Sequence, residues 1–339
     1  MHRPDSKHQP SQKSKSGRVA SYALPFIGFG LLLGGVAWLS QPHQFLAQQR
    51  ASAPSIQSQI PAVNPSVALE PARNWQTNNH VHGLAINPVN SEIIYVASHN
   101  GLLYRSLDGG WYWMGKERSD YMGFTADPNH PHRFYSSGHP PTGGNLGFQI
   151  TENQGQDWQQ ISMPGVDFHA LAIAPNNPQI FYGFPASGAE GFHVSIDGGK
   201  TWKPTRMNGL GDHPFNLAVD PQNSNRVFAT TRSGLYESRD RGEHWTLLTS
   251  TQNVPIAGLA LQKEGDLTVI YSYWVAESGS GLYRSIDSGK TWEKWGTGLD
   301  GIVLHLAIAP HNSQIFYAVN EKNVIFQSRN GGKVWKTLS

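Results

Sequence analysis

The feature that most constrains this chain is a tryptophan that comes round six times. Trp113, Trp158, Trp202, Trp245, Trp292 and Trp335 close six related octets: "SLDGGWYW", "TENQGQDW", "SIDGGKTW", "SRDRGEHW", "SIDSGKTW" and "SRNGGKVW". The steps between them are 45, 44, 43, 47 and 43 residues. So regular a period means one structural unit copied along the chain, each copy burying its apolar face only against its neighbours. Every period holds four short β-rich runs parted by Pro, Asn, Asp or Gly. The first gives "HGLAINP", "EIIYVAS" and "GLLYRS" before Trp111; the third gives "HALAIAP", "QIFYGF" and "GFHVS" before Trp202. Helical repeats would show a 3.6-residue period, which is missing, and parallel solenoids have shorter coils. Four strands in about 40 to 45 residues make a propeller blade. The sequence therefore predicts an all-β fold, a six-bladed β-propeller of four-stranded blades over residues 77–339.

The octet falls in the hairpin between the third and fourth strands of each blade. There an aspartate accepts hydrogen bonds from turn N–H groups, and glycine supplies positive φ. The tryptophan that follows fills the space between blades. The pattern S-x-D-x-G-x-T-W resembles the BNR or Asp-box repeat of sialidases, xyloglucanases and sortilin-type receptors. Residues 195–202 and 285–292 match it in full, whereas Asn153 and Asn330 replace the aspartate in the second and sixth copies. In those families the box is scaffold, away from the active site, so the resemblance implies that the most conspicuous motif here is structural. The segments "HVHGLAINP", "DYMGF", "SGHPPTGGNLG" and "DFHALAIAP" are similar to those of bacterial secreted or anchored six-repeat propellers labelled glycosyl hydrolase. That label follows the fold, and fold does not fix activity.

Ahead of the repeats the chain changes character. Residues 1–18 form a basic tail, with Arg3, Lys7, Lys13, Lys15 and Arg18 against Asp5. Residues 19–39, "VASYALPFIGFGLLLGGVAWL", carry no charge, and a bilayer span needs roughly 20 apolar residues. The preceding basic residues predict a cytoplasmic N-terminus, an uncleaved anchor at 19–39, and a propeller in the periplasm or extracellular space. Residues 40–76, rich in Gln, Pro, Ser and Ala, read as a flexible tether. The chain has no cysteine, which excludes disulfides, thiol catalysis and zinc–thiolate sites. Outside the tail the net charge is slightly negative, which argues against nucleic acid as a partner.

Function is expected at the rim opposite the octets, where first strands begin and second strands end. First-strand starts read "HVH" (80–82), "DYM" (120–122), "DFH" (167–169) and "HPF" (213–215), while second strands end at His99 and His139. Aligning the repeats sets His82, Met122 and His169 at equivalent points on adjacent blades, with His80, Asp120, Asp167 and His213 two residues earlier in each. Five of these, His80, His82, Met122, His139 and His169, are the candidate metal ligands, with His99 and His213 as further ones. Histidine with methionine suits copper; histidine alone also accepts zinc. His305 sits one residue out of register and is expected to face away.

Three functions are open at this stage. The first is a propeller binding a small ligand, with copper or zinc as the cofactor. A glycosidase using Asp120 and Asp167 is the second, since two carboxylates on adjacent blades suit that chemistry. The third is a protein-interaction or assembly-factor platform, whose top face takes a glycan or protein partner. The lack of any arginine at the first-strand starts argues against a sialidase, and the lack of an arginine-rich patch argues against a photosystem-assembly propeller.

Overall fold

The computed structural model describes residues 69–277 and 279–338. They form six antiparallel sheets, five of four strands and one of five, which are the six blades that the repeat predicts. The innermost strands are Val81–Ile86, Asp120–Ala126, Asp167–Ile173, Asn216–Asp220, Ile256–Glu264 and Val303–Ala309. The next three strands of each repeat pair outward in chain order. Among the described residues no helix is long and apolar enough to cross a membrane. The expected span at 19–39, the basic tail at 1–18 and most of the tether, to residue 68, lie outside the described residues.

The ordered propeller starts before residue 77. Leu69–Pro71 pairs antiparallel with Trp111–Met114, from Leu69 opposite Met114 to Pro71 opposite Tyr112, and becomes the fifth and outermost strand of blade one. A proline is tolerated there because an edge strand has a side with no ladder bond to donate. Just beyond, Trp75 is buried, its ring 4.8 Å from that of Trp111. Three residues are too few to show a β period, so this strand is invisible in the sequence.

The octets form the hairpin expected of them. In blade three Gly199 N–H donates to Ser195 Oγ at 2.9 Å, Thr201 N–H to Asp197 Oδ1 at 2.9 Å, and Thr201 Oγ1 to Asp197 Oδ2 at 2.6 Å. Blade five repeats these bonds through Ser285, Asp287 and Thr291. The threonine bonds hold the Asp197 and Asp287 carboxyls down to about 2. Where Asn330 replaces the aspartate, its side-chain oxygen still accepts from Val334 N–H at 2.9 Å. Blade one departs from the rest: Arg105 pairs directly with Trp111 in a tight hairpin, which leaves Trp113 inside the outer strand.

The apolar core is divided among the blade boundaries. Among the described residues six buried clusters are present, and each draws side chains from two neighbouring blades. The boundary between blades six and one is built like the others, by packing, although many rings could close by sharing a strand. Blade six ends with its own outer strand, Trp335–Thr337, and blade one begins with its own inner one. Val319, Tyr317 and Ile325 meet Val81, Ile94, Val96 and Trp75. Asn323 Nδ2 donates to the carbonyls of Gln76 and Asn79 at 3.1 and 2.9 Å, and Tyr317 Oη to Ser91 O at 3.1 Å. The segment before the first repeat is thus part of what closes the ring.

Candidate functional site at the channel mouth

The inner strands surround a central cavity of about 600 Å³. What points into its upper mouth is decided by β-bulges. Register slips between Val81 and Gly83, Tyr121 and Phe124, and Phe168 and Ala170, so His82, Met122 and His169 are bulged residues of their blades. A bulge residue has no cross-strand partner and its side chain is re-aimed. His82 and His169 line the cavity, and Met122 holds the intervening position at half burial. Blade four has no bulge there. Instead Asn216 Nδ2 donates to Ala257 O at 2.8 Å and Leu304 O at 3.0 Å, tying the mouth shut on the side of blades four to six.

The same bulges explain His305, which does not face away as its register suggested. In blade six the extra residue is Leu304, so His305 takes the position after the bulge. That position points at the next blade. A Cβ on Gly123 there would meet Phe168 O at 2.3 Å, and one on Gly258 would meet Val303 O at 3.1 Å. His305 fills the matching place at the ring-closing boundary and its Nε2 donates to Val81 O at 3.2 Å. Burial lowers its pKa to about 4.

The candidate ligands do not gather at one point. They form two groups, each across a blade boundary. Between blades one and two, His99 Nδ1 lies 2.5 Å from Asp120 Oδ2, and His82 Nε2 lies 3.3 Å from Asp120 Oδ1 and 3.4 Å from His99 Nδ1. Between blades two and three, Asp167 Oδ2 lies 3.1 Å from His139 Nε2 and 2.8 Å from His169 Nε2. In both groups the three ligand atoms are within 4.8 Å of one another. Each group repeats one plan: a histidine ending a second strand (His99, His139) meets an aspartate opening the next blade's inner strand (Asp120, Asp167). The third member differs. It is His82 from the preceding blade in the first group, and His169 from the following blade in the second, because Met122 occupies the bulge of blade two.

His80, Met122 and His213 belong to neither group. The His80 ring stands 4.8 Å from that of His82 and 5.7 Å from that of His99, and burial followed by the nearby His99 lowers its pKa. His213 is exposed and packs on Phe184, rings 5.3 Å apart. Sequence register ranked His99 below His80, because it aligns positions within blades and is silent on which side chains meet across a boundary.

The chemistry of the groups fits a divalent transition metal. Ligands about 2.0–2.1 Å from a tetrahedral ion sit roughly 3.3 Å apart, close to most of the spacings present. His82 arrives without a proton: burial, then the neighbouring His99, push its pKa down to about 2, and only the neutral imidazole binds metal. Asp167 is 1% exposed, yet its Oδ1 has no hydrogen-bond partner. A buried carboxylate oxygen left without a donor costs free energy that a cation would recover.

No family model matches the chain. A 142-residue stretch, 35% of this chain and 17% of the relative, is 23% identical to the xyloglucanase Xgh74A of Acetivibrio thermocellus. Among solved structures, a GH74 enzyme of Niastella koreensis superposes with a TM-score of 0.58 at 17% identity, over 76% of this chain and 45% of that one. The GH74 xyloglucanase of Xanthomonas campestris gives 0.55 at 14%, over 80% and 47%. An auxiliary nutrient binding protein of Bacteroides thetaiotaomicron gives 0.55 at 10%, over 77% and 69%. The chain thus spans less than half the length of the two enzymes. These likenesses are ones of fold alone, and in fold this chain is a six-bladed β-propeller.

Proposed function

We propose that this chain is a membrane-anchored, extracytoplasmic propeller that binds a transition metal, copper or zinc, at its channel mouth and presents it to a small ligand. One observation carries the reading: a nearly inaccessible carboxylate, Asp167, is held between two imidazoles with its second oxygen unpartnered. Two histidines and a carboxylate form a borderline donor set that suits zinc and copper. The apolar run at 19–39 supports the anchor. The test is equilibrium dialysis of the purified protein against copper and zinc at pH 7.5. Retention tighter than about millimolar, roughly −4 kcal/mol, is expected, and weaker retention would sink the proposal.

A glycosidase using Asp120 and Asp167 is the second reading, favoured by the fold likeness to two GH74 enzymes, one of them a xyloglucanase. Against it, both carboxylates are engaged by imidazoles, whereas a glycosidase pair must reach the glycosidic bond or its attacking water. Cleavage of an aryl glycoside that Asp120→Asn or Asp167→Asn abolishes would decide for this reading.

A further inference from the structure

The two groups are copies of one device on successive blade boundaries, and their third ligands share a cavity. Both His82 and His169 line the channel, one on each side of Met122. Among the described residues, no fourth histidine, aspartate or glutamate completes either group. Three protein ligands with an open fourth position mark a metal site that takes an outside molecule, whereas a purely structural site is closed by four. The open side is toward solvent, since the side chains of His99, His139 and His169 are 47%, 39% and 43% exposed.

Charge then selects the outside ligand. Each group supplies one carboxylate, so a divalent ion keeps a net charge of +1. Without metal the two groups present Asp120 and Asp167 with no arginine or lysine at a first-strand start, the cations Arg232 and Lys322 following the second strands of blades four and six instead, so the groups themselves repel anions. Resting on the metal-binding reading above, we infer that the chain holds two ions, one at each of the first two blade boundaries. Their open positions take a small oxyanion from the channel mouth, which binds only when metal is present.

The experiment uses the full chain in detergent, loaded with zinc for stoichiometry and cobalt for spectroscopy. His99 and His169 are partly exposed, each belongs to one group, and neither is needed for the core, so alanine variants keep the fold. The wild type should hold two zinc ions per chain, His99→Ala and His169→Ala one each, and the double variant none. One ion in the wild type, lost in either variant, would mean a single shared site and overturns the inference while leaving the proposed function standing. No ion at all overturns both. Retention of both ions in the double variant places the metal elsewhere and overturns the site assignment. Inorganic phosphate should change the visible spectrum of the cobalt-loaded protein and show no binding to the metal-free chain. Phosphate binding without metal, or an unchanged cobalt spectrum, overturns the assignment of the ligand.

Discussion

Replacing Trp75 by alanine tests how the ring is closed. The side chain is 3% exposed, lies against Trp111 and sits in the cluster joining blades six and one. Burying a tryptophan removes up to about 250 Å² from water, about 6 kcal/mol at roughly 25 cal/mol per Å². The alanine keeps part of that burial and the unfolded chain already hides some. The indole N–H has no acceptor among the described residues, so no hydrogen bond is lost. A destabilisation of about 3–5 kcal/mol is therefore expected, the range for a buried tryptophan cut to alanine. In thermal melts followed by tryptophan fluorescence this is a drop of roughly 6 to 15 °C. Leu107→Ala serves as the control, since Leu107 is 64% exposed. Should Trp75→Ala cost less than about 0.5 kcal/mol, the level of an ordinary surface change, residues 69–76 are tether after all and the ring closes without them.

Other expectations follow from single contacts. Asn216→Ala leaves the carbonyls of Ala257 and Leu304 without their donor; a loss of about 1–3 kcal/mol in urea unfolding is expected, with metal binding unchanged. At Gly138, φ is +133° and an added Cβ would meet Asp120 O at 1.9 Å. Gly138→Ala should therefore shift the start of the blade-two inner strand, which carries Asp120, and with it the adjoining His139 of the second group, so that zinc content falls at both sites. His305 titrates near 4 folded and near 6.5 unfolded. The unfolded chain thus takes up a proton that the native one refuses, and His305 should lower metal-free stability by up to about 3 kcal/mol as pH drops from 6.5 to 4, beside a contribution of the same sign from His82. His305→Gln should flatten that slope in chemical denaturation series; an equally steep fall in the variant would refute the assignment.

Much of the fold was legible because propellers write their period into the chain. The tryptophan spacing gave the number of blades, and matched first-strand starts put His82, Met122 and His169 at equivalent places, where three bulges now hold them. The misses have physical causes. Leu69–Pro71 is too short to show alternation and pairs with a strand some 40 residues later. His305 was misjudged because the bulge at Leu304 displaces the alternation by one residue. The histidines that contact Asp120 and Asp167, from two strands in each case, were not legible beside them in the sequence. All of those contacts but Asp167–His169 cross a blade boundary, and all depend on side-chain direction, which a repeat alignment does not carry.

The most direct test of metal binding at the channel mouth is anomalous diffraction from crystals grown with zinc, recorded on both sides of the zinc absorption edge. Two peaks are expected: one among His82, His99 and Asp120, the other among His139, Asp167 and His169. A fully occupied zinc ion elsewhere on the chain, with neither group showing a peak, would contradict the account.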